Sequence, residues 1–504
     1  MTATPMTTDT VPDPGASSGN LCAEVHETHT GVVVLIGDKA FKAKKAVVTD
    51  FLDFSTLERR ERACVREVAL NSRLAPDSYL GLAHFSGPDG GPAEPVIVMR
   101  RYPDSRRLAA VVKGGQPVKD HLVSIAEKLA RFHARAARGE SIDACATVDA
   151  VTARWQENLD ELHRHAGTVL LHESVEEVER LARQFISGRS WLFTHRIADG
   201  RIVDGHADLL ADDIFCMPEG PVLLDCLEFD DQLRYVDGVD DAAFLAMDLE
   251  FLGRKDLGDY FLGEYSRLAG DAAPQPLKDF YIAYRAVVRA KVDCVRVSQG
   301  HPEAVADARQ HLDIAVEHLR AGTVRLILIG GGPGTGKTTL AHALAEKVGA
   351  QVISTDDVRR QMQHAGSVAG AAGVLDEGLY TAENVAAVYD EVLRRAQLDL
   401  CGGQSVILDG SWRDARQRQR ARGLAGQTAS PIVEFTCLVP LDEASARIRN
   451  RSATTSDATP QIAVALAERN GESHVGHLIN TGRPLAESIA EAEQLFRQTT
   501  EGAQ

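Results

Sequence analysis

Eight consecutive residues, Gly331, Gly332, Pro333, Gly334, Thr335, Gly336, Lys337 and Thr338, satisfy G-x-x-x-x-G-K-[ST] at every place. Glycines so spaced let backbone N–H groups turn inward around phosphate oxygens. The lysine reaches the β- and γ-phosphates, and the threonine hydroxyl can ligate Mg²⁺. Thr339 continues into a helix whose positive end points at the same anion. The apolar run VRLILIG precedes the loop and TTLAHALAEKVG follows it, the strand and helix that such a loop requires. The chemistry implied is binding of ATP with Mg²⁺ and transfer of its terminal phosphoryl group.

Three further constellations follow in the same half. In STDDVRR, Asp356 and Arg359 stand three apart at the end of the next strand. The carboxylate can take a proton from an attacking hydroxyl and the guanidinium can clamp the acceptor; alternatively Asp356 and Asp357 cap the following helix. SVILDGS is an apolar strand ending in Asp409, the place of an aspartate that holds Mg²⁺ through water. Arg447 and Arg451 lie four apart on one helical face, either closing over the triphosphate or forming a solvated basic face. The run Arg413, Arg416, Arg418, Arg420 and Arg422 reads as a solvated helix, since only Trp412 supplies an aromatic beside it.

The pieces GGGPGTGKTTLA, STDDVRR, SVILDGSW and ASARIRNRS together resemble the P-loop kinase family that includes gluconate kinase, zeta toxin and polynucleotide 5′-kinase. Carried over by position, the resemblance implies that Lys337 and Thr338 hold ATP–Mg²⁺ and that Asp356 is the acceptor's base. It makes Arg359 the acceptor clamp and Arg447 and Arg451 the lid arginines. These motifs specify phosphoryl transfer and leave the acceptor open.

A second constellation lies in the first half. His206-x-Asp208, Asp213 five residues on, and an apolar strand ending in Asp225 repeat the spacing of a kinase catalytic loop followed by its metal aspartate. Such chemistry needs one carboxylate to accept the hydroxyl proton, here Asp208, and oxygen ligands for Mg²⁺, here Asp213 and Asp225. Lys42 on a strand and Glu67 on the next helix supply the pair that orients the α- and β-phosphates. His133 reads as a hydrogen-bonded core histidine. Residues 25–320 resemble the aminoglycoside-phosphotransferase-like branch of the protein-kinase fold. The whole chain is similar to the bacterial bifunctional aminoglycoside phosphotransferase/ATP-binding protein family, particularly its actinobacterial members. FLDFSTLERRERACVREVALNSRLAPDSYLG and LEFDDQLRYVDGVDDAAFLAMDLEF are the stretches that carry that likeness. Against the family's H-G-D-L-H-x-x-N, Ala207 replaces glycine, Leu210 replaces histidine and Asp213 replaces asparagine.

The elements that must position these residues follow from periodicity. Residues 30–49 predict two strands joined at Gly37–Asp38, residues 55–75 a helix, and Val96–Met99 a further strand. Helical spacing fills 118–186 and 238–320, with strand-like pieces expected at WLFTHRI, GHADLLADDIF and PVLLDCLEF. From residue 323 strands and helices alternate, the pattern of a parallel α/β sheet. The expected architecture combines α+β and α/β folds. Residues 1–20 form a disordered tail, 21–321 a bilobal protein-kinase-like domain, and 322–504 a P-loop kinase domain with a parallel sheet.

At 504 residues the chain exceeds one ordinary domain, and 44% hydrophobic content with 25% charge excludes a mainly disordered protein. Nothing in the sequence approaches the ~20 apolar residues of a spanning helix, and the first twenty residues lack the basic start and apolar run of a secretion signal. Eight cysteines without a CxxC pair indicate neither a zinc ribbon nor a disulfide framework, so the reducing cytoplasm is the expected location. A net charge of −17 opposes nucleic-acid binding. The leading reading is an ATP- and Mg²⁺-dependent phosphotransferase acting at the C-terminal loop on an unidentified small-molecule acceptor. Its alternatives are a nucleotide-binding regulator with a degenerate kinase-like half, and a polynucleotide 5′-kinase.

Overall fold

In GVVVLI and KAFKAK, β-branched residues and alternation drive two strands, Gly31–Ile36 and Lys39–Lys44, into an antiparallel hairpin. Its tight turn uses Gly37 at φ 59°. The computed structural model describes residues 23–500 apart from 28–30, 49–52, 87–89, 92, 372–375, 451–458, 460 and 466–475. The expected tail 1–20 and Arg451 lie outside the described residues.

The described chain divides into two compact units, one of residues up to 116 with 212–230, the other of 117–211 with 231 onward. In the first unit, five antiparallel strands run in the order Glu24–Glu27, Gly31–Ile36, Lys39–Lys44, Glu94–Arg100, Tyr79–Phe85. The helix Leu57–Asn71, capped by the Thr56 hydroxyl, packs on this sheet. A hairpin of Ile214–Met217 and Gly220–Leu223 completes the unit, and Cys64, Tyr79, Ile97, Phe215 and Leu224 meet in its core.

The second unit begins with helices, among them Lys119–Arg135, Val148–His165, His172–Gly188, Gly238–Phe251, Gln275–Ser298 and Ala304–Ala321. WLFTHRI is not a strand but part of the helix Ser190–Ala198. Its aromatic and β-branched composition suggested a strand, yet Leu192, Phe193 and Arg196 are buried at helical spacing. Arg196 fixes that choice by reaching both Asp237 and Asp271 from inside the core. GHADLLADDIF contributes only the strand Ile214–Met217, its earlier residues being held as a loop by side chains described below.

The same unit then builds five parallel strands in the order Gln351–Ser354, Val406–Asp409, Leu326–Gly331, Ile432–Leu438, His477–Asn480. Ile327, Ile329, Ile407, Val433, Phe435 and Ile479 meet Leu340 and Leu344 of the helix Lys337–Val348 in a dry core. The register places Ser354 and Ile329 on either side of Asp409, so three strands deliver their ends to one edge. Ligands of open α/β sheets bind at that edge. The buried Arg189, at the end of His172–Gly188, donates to the carbonyl of Thr428 at 2.8 Å and to the Ser430 hydroxyl at 3.2 Å, joining the helices to the sheet. Among the described residues no helix is long and apolar enough to cross a membrane.

Candidate functional site

The phosphate loop leaves the strand Leu326–Gly331 and closes at Gly336, the N-cap of Lys337–Val348 with φ 81°. Gly331 has φ 144°, and a Cβ there would stand 2.6 Å from the Thr335 hydroxyl, so neither backbone nor space admits a side chain. The Thr335 hydroxyl closes the turn on the Gly332 carbonyl at 2.9 Å. Thr481, from the segment after the last strand, donates its hydroxyl to the Thr335 carbonyl at 2.5 Å and pins the loop from outside. Gly334, Gly336, Lys337, Thr338 and Thr339 line a cavity of about 560 Å³ with Pro333, Asp356, Arg447, Thr481 and Arg483.

Thr338 and Asp409 come together: the hydroxyl donates to Asp409 Oδ2 at 2.7 Å. Asp409 is buried, its Oδ1 has no hydrogen-bond partner, and burial raises its pKa against the opposing influence of Lys337 and Thr338. A buried carboxylate oxygen left over beside a hydroxyl is a donor set of hard oxygens, which suits Mg²⁺ bridged to phosphate. Thr338 and Asp409 are the residues that would hold the ion. Among the described residues no group of three or more His, Cys, Asp or Glu side chains gathers to bind a metal.

On the neighbouring strand the helix Thr355–His364 starts under the cap of Ser354, whose hydroxyl accepts from the Asp356 N–H at 3.3 Å. The cap is therefore Ser354, and Asp356 and Asp357 occupy the first turn. Asp356 faces the phosphate-loop cavity, and Arg359 donates to it at 2.6 Å. Arg359 is buried, lies over the Tyr380 ring at 4.6 Å, and keeps its Nε without a partner. Beside it the Tyr389 hydroxyl is 3.4 Å from that of Ser411, and its ring meets Trp412 edge-on. Trp412 holds φ 47° with its indole N–H on the Leu408 carbonyl. Sequence reading passed over Tyr380, Tyr389 and Thr481, and took Trp412 only as an aromatic beside the arginine run.

Arg447 on the helix Leu441–Asn450 is about one-third exposed and lines the cavity. It donates to Glu443 at 2.6 Å and to the Thr481 carbonyl at 2.8 Å, beside Gly336. Arg483, also overlooked from sequence, lines the same cavity and pairs with Glu491. The run beyond Trp412 lies on a largely exposed helix, as expected, with several of its arginines paired within the chain. Arg418 reaches the carbonyls of Trp412 and Arg413, Arg420 pairs with Asp390, and Arg422 with Glu434.

In the first unit, Lys42 lies 2.8 Å from Glu67 and 2.7 Å from Asp225. Burial alone would lower the Lys42 ammonium, but Asp225, Glu67 and Glu228 raise it well above its ordinary value. Lys44, not singled out from the sequence, lies 2.6 Å from the other oxygen of Glu67 and also pairs with Glu228. Asp225 adopts φ 63°. Asp213 closes the start of the hairpin, its carbonyl accepting from the Leu224 N–H at 3.0 Å.

Asp208 belongs to the second unit, in a loop held by the helix Gly238–Phe251. Asp241 accepts the N–H groups of His206 and Ala207, both at 2.7 Å, and His133 Nε2 at 2.9 Å. His133 also meets the Tyr265 hydroxyl at 2.7 Å, so it is the hydrogen-bonded core residue expected. Burial would raise Asp241, but His133 and the His206 backbone hold it below the usual carboxylate range. Asp240 binds Arg285, which reaches the Ala207 carbonyl at 3.3 Å, and Asp248 accepts the Ala211 N–H at 2.7 Å. Acidic residues buried in an otherwise apolar helix were the signal for this scaffold, and sequence reading did not use it.

A family profile described as an AAA domain matches residues 326–470. Over 474 residues the chain is 60% identical to the uncharacterized protein Rv2004c of Mycobacterium tuberculosis, covering 94% of this chain and 95% of that one. It is 36% identical over 132 residues to an adenylate kinase of Stenotrophomonas maltophilia, covering 26% of this chain and 67% of the other. A solved choline/ethanolamine kinase family protein of Mesorhizobium loti aligns at 16% identity and a TM-score of 0.35, over 60% of this chain and 96% of that chain.

Proposed function

The chain belongs to the family of the Mycobacterium tuberculosis protein Rv2004c, and for it we propose ATP-dependent phosphoryl transfer at the C-terminal phosphate loop to a small hydroxyl compound. The observation that carries this reading is the 2.7 Å contact of Thr338, which directly follows Lys337, with a buried Asp409 whose second oxygen is unpartnered. The backbone from Gly331 to Thr339 cradles the phosphates, and Lys337 holds the β- and γ-phosphates. Thr338 and Asp409 would hold Mg²⁺, which would supply neutralisation of charge on the phosphoryl oxygens. Asp356, at the cavity wall, accepts the acceptor's hydroxyl proton, and Arg359, the expected acceptor clamp, holds that carboxylate. Arg447, anchored on the Thr481 carbonyl beside Gly336, offsets charge developing on the phosphates. Arg451 is assigned the same role by sequence position alone. The expected setting is the reducing cytoplasm, in keeping with the free thiols of the described cysteines.

The test is a screen of metabolites with γ-labelled ATP, using the intact chain and Lys337→Ala. Label transfer to a small hydroxyl compound that disappears in the variant supports the reading. Unchanged transfer in the variant places the chemistry elsewhere, and ATP binding without acceptor-dependent ADP release favours a nucleotide-binding regulator. A polynucleotide acceptor is disfavoured by the net charge of −17.

A second reading is favoured by the Lys42–Glu67 pair at 2.8 Å with Asp225 on the same ammonium. The first unit then contributes a nucleotide site of its own, in which Asp213 and Asp225 would hold Mg²⁺. This site accords with the aminoglycoside-phosphotransferase-like resemblance.

A further inference from the structure

The strand Lys39–Lys44 places two lysines two residues apart, hence on one face of the sheet. Both reach Glu67, and each takes a different oxygen, Lys42 at 2.8 Å and Lys44 at 2.6 Å. One lysine suffices to pair with one glutamate. A second ammonium whose side chain is 2% exposed costs several kcal/mol of lost hydration unless its partners repay it. The partners are Glu67, which is fully buried, and Glu228.

The arrangement is a ladder with two rungs. Lys42 reaches Asp225, and two residues further along the strand Lys44 reaches Glu228, three residues after Asp225. The segment that carries Asp225 is therefore tied to the sheet at two points. Lys42 and Lys44 stand against Glu67, Asp225 and Glu228, two cations to three carboxylates. When Lys42 turns toward a phosphate it gives up part of its hold on Glu67 and Asp225. Without Lys44, Glu67 would then be a buried carboxylate with no full counter-charge, and the segment of Asp225 would lose its tie through Glu228.

We propose that Lys44 and Glu228 form a positioning pair that holds Glu67 and Asp225 in place for nucleotide–Mg²⁺ binding by the first unit. This rests on the second reading above, that the first unit binds nucleotide. Lys44 acts through Glu67 and Glu228 and contacts no reacting atom.

The experiment uses the full chain carrying Lys337→Ala, so that binding at the phosphate loop is removed. MgATP affinity, the half-saturating Mg²⁺ concentration and the ligand-free melting temperature are measured for this parent and with Lys44→Met, Lys44→Arg and Glu228→Gln added. The expected result is a loss of about tenfold in MgATP affinity, roughly 1.4 kcal/mol, for Lys44→Met and for Glu228→Gln. Lys44→Arg should recover most of it, and Glu228→Gln should raise the half-saturating Mg²⁺ concentration, which a purely structural role would not do. If Lys44→Met does not fold, Lys44→Arg and Glu228→Gln decide the matter. Affinities and Mg²⁺ dependence unchanged across the folded variants overturn the pair while leaving nucleotide binding intact. If the parent binds no MgATP, the second reading fails and the pair falls with it.

Discussion

Replacing Asp409 by asparagine should make the ligand-free protein more stable and the ligand-bound protein less so. Asp409 is buried, only its Oδ2 is bonded, to Thr338, and its Oδ1 has no partner. An unsatisfied buried acceptor costs about 1–3 kcal/mol. Because burial raises its pKa, the ionised form is what the folded state disfavours. A raised carboxyl contributes most stability at low pH and loses it as pH rises through the folded value, so the cost grows as the group ionises. The substituted amide would resemble the protonated acid, keeping an acceptor for Thr338 without the buried charge, and should gain about 1 kcal/mol without ligand. With nucleotide and Mg²⁺ the balance reverses. At a ligand concentration one hundred times Kd, binding stabilises by about 2.7 kcal/mol, and a roughly hundredfold weaker Kd reduces that to about 0.4 kcal/mol. Urea unfolding of both proteins, with and without MgATP, reads both quantities. A destabilised ligand-free Asp409→Asn that keeps the full MgATP increment would refute the argument, and Asp409 would be a structural partner of Thr338 alone.

Other outcomes follow from the same contacts. Asp356→Asn should slow transfer by on the order of 10²–10⁴ while leaving ATP affinity intact; a collapse of affinity with an unchanged rate per bound nucleotide would instead make Asp356 a metal or structural residue. Ala207→Gly should stabilise the chain by about 1 kcal/mol, because Ala207 holds φ 69° where a Cβ is strained, and denaturant midpoints report it. Burial would lower the His318 imidazole, but Asp279 and Glu250, each at 2.8 Å, raise it to about 9. Its contribution, about 3 kcal/mol, is therefore complete below pH ~6.5 and lost as pH rises through 9. Wild-type and His318→Gln stabilities should accordingly converge at about pH 10, and a constant gap across that range would contradict the pairing.

What could be read in the sequence depended on how local each arrangement is. The phosphate loop is a run of eight residues whose glycines encode backbone shape, so Gly331 to Thr338 announced the strand–loop–helix that the structure shows. Asp409 and Asp356 were legible because parallel strands deliver their ends to one edge. Lys42, Glu67 and Asp225 were legible from order and spacing alone. Lys44–Glu228 was not, because its partners are 184 residues apart and a second lysine in KAFKAKK looks like solvent-facing charge. Thr481 pins Thr335 across 146 residues and belongs to no motif. Ser354 was hidden as a cap by the two aspartates behind it, themselves good capping residues. WLFTHRI misled because aromatic and β-branched residues favour strands locally, while burial of Leu192, Phe193 and Arg196 decided for a helix.

Ala207 shows how such distant contacts override local preference. Its left-handed backbone is one a glycine would adopt freely, and alanine there costs roughly 1–2 kcal/mol. Strain of that kind persists only where the surroundings over-determine the conformation. Here Asp241 accepts the Ala207 N–H at 2.7 Å and Arg285 donates to its carbonyl at 3.3 Å, so both faces of the residue are held. Asp241 in turn is fixed by His133, and Arg285 by Asp240. The loop's shape therefore resides in the helix Gly238–Phe251 rather than in the loop's own residues. A substitution within the loop can therefore change its chemistry without changing its path.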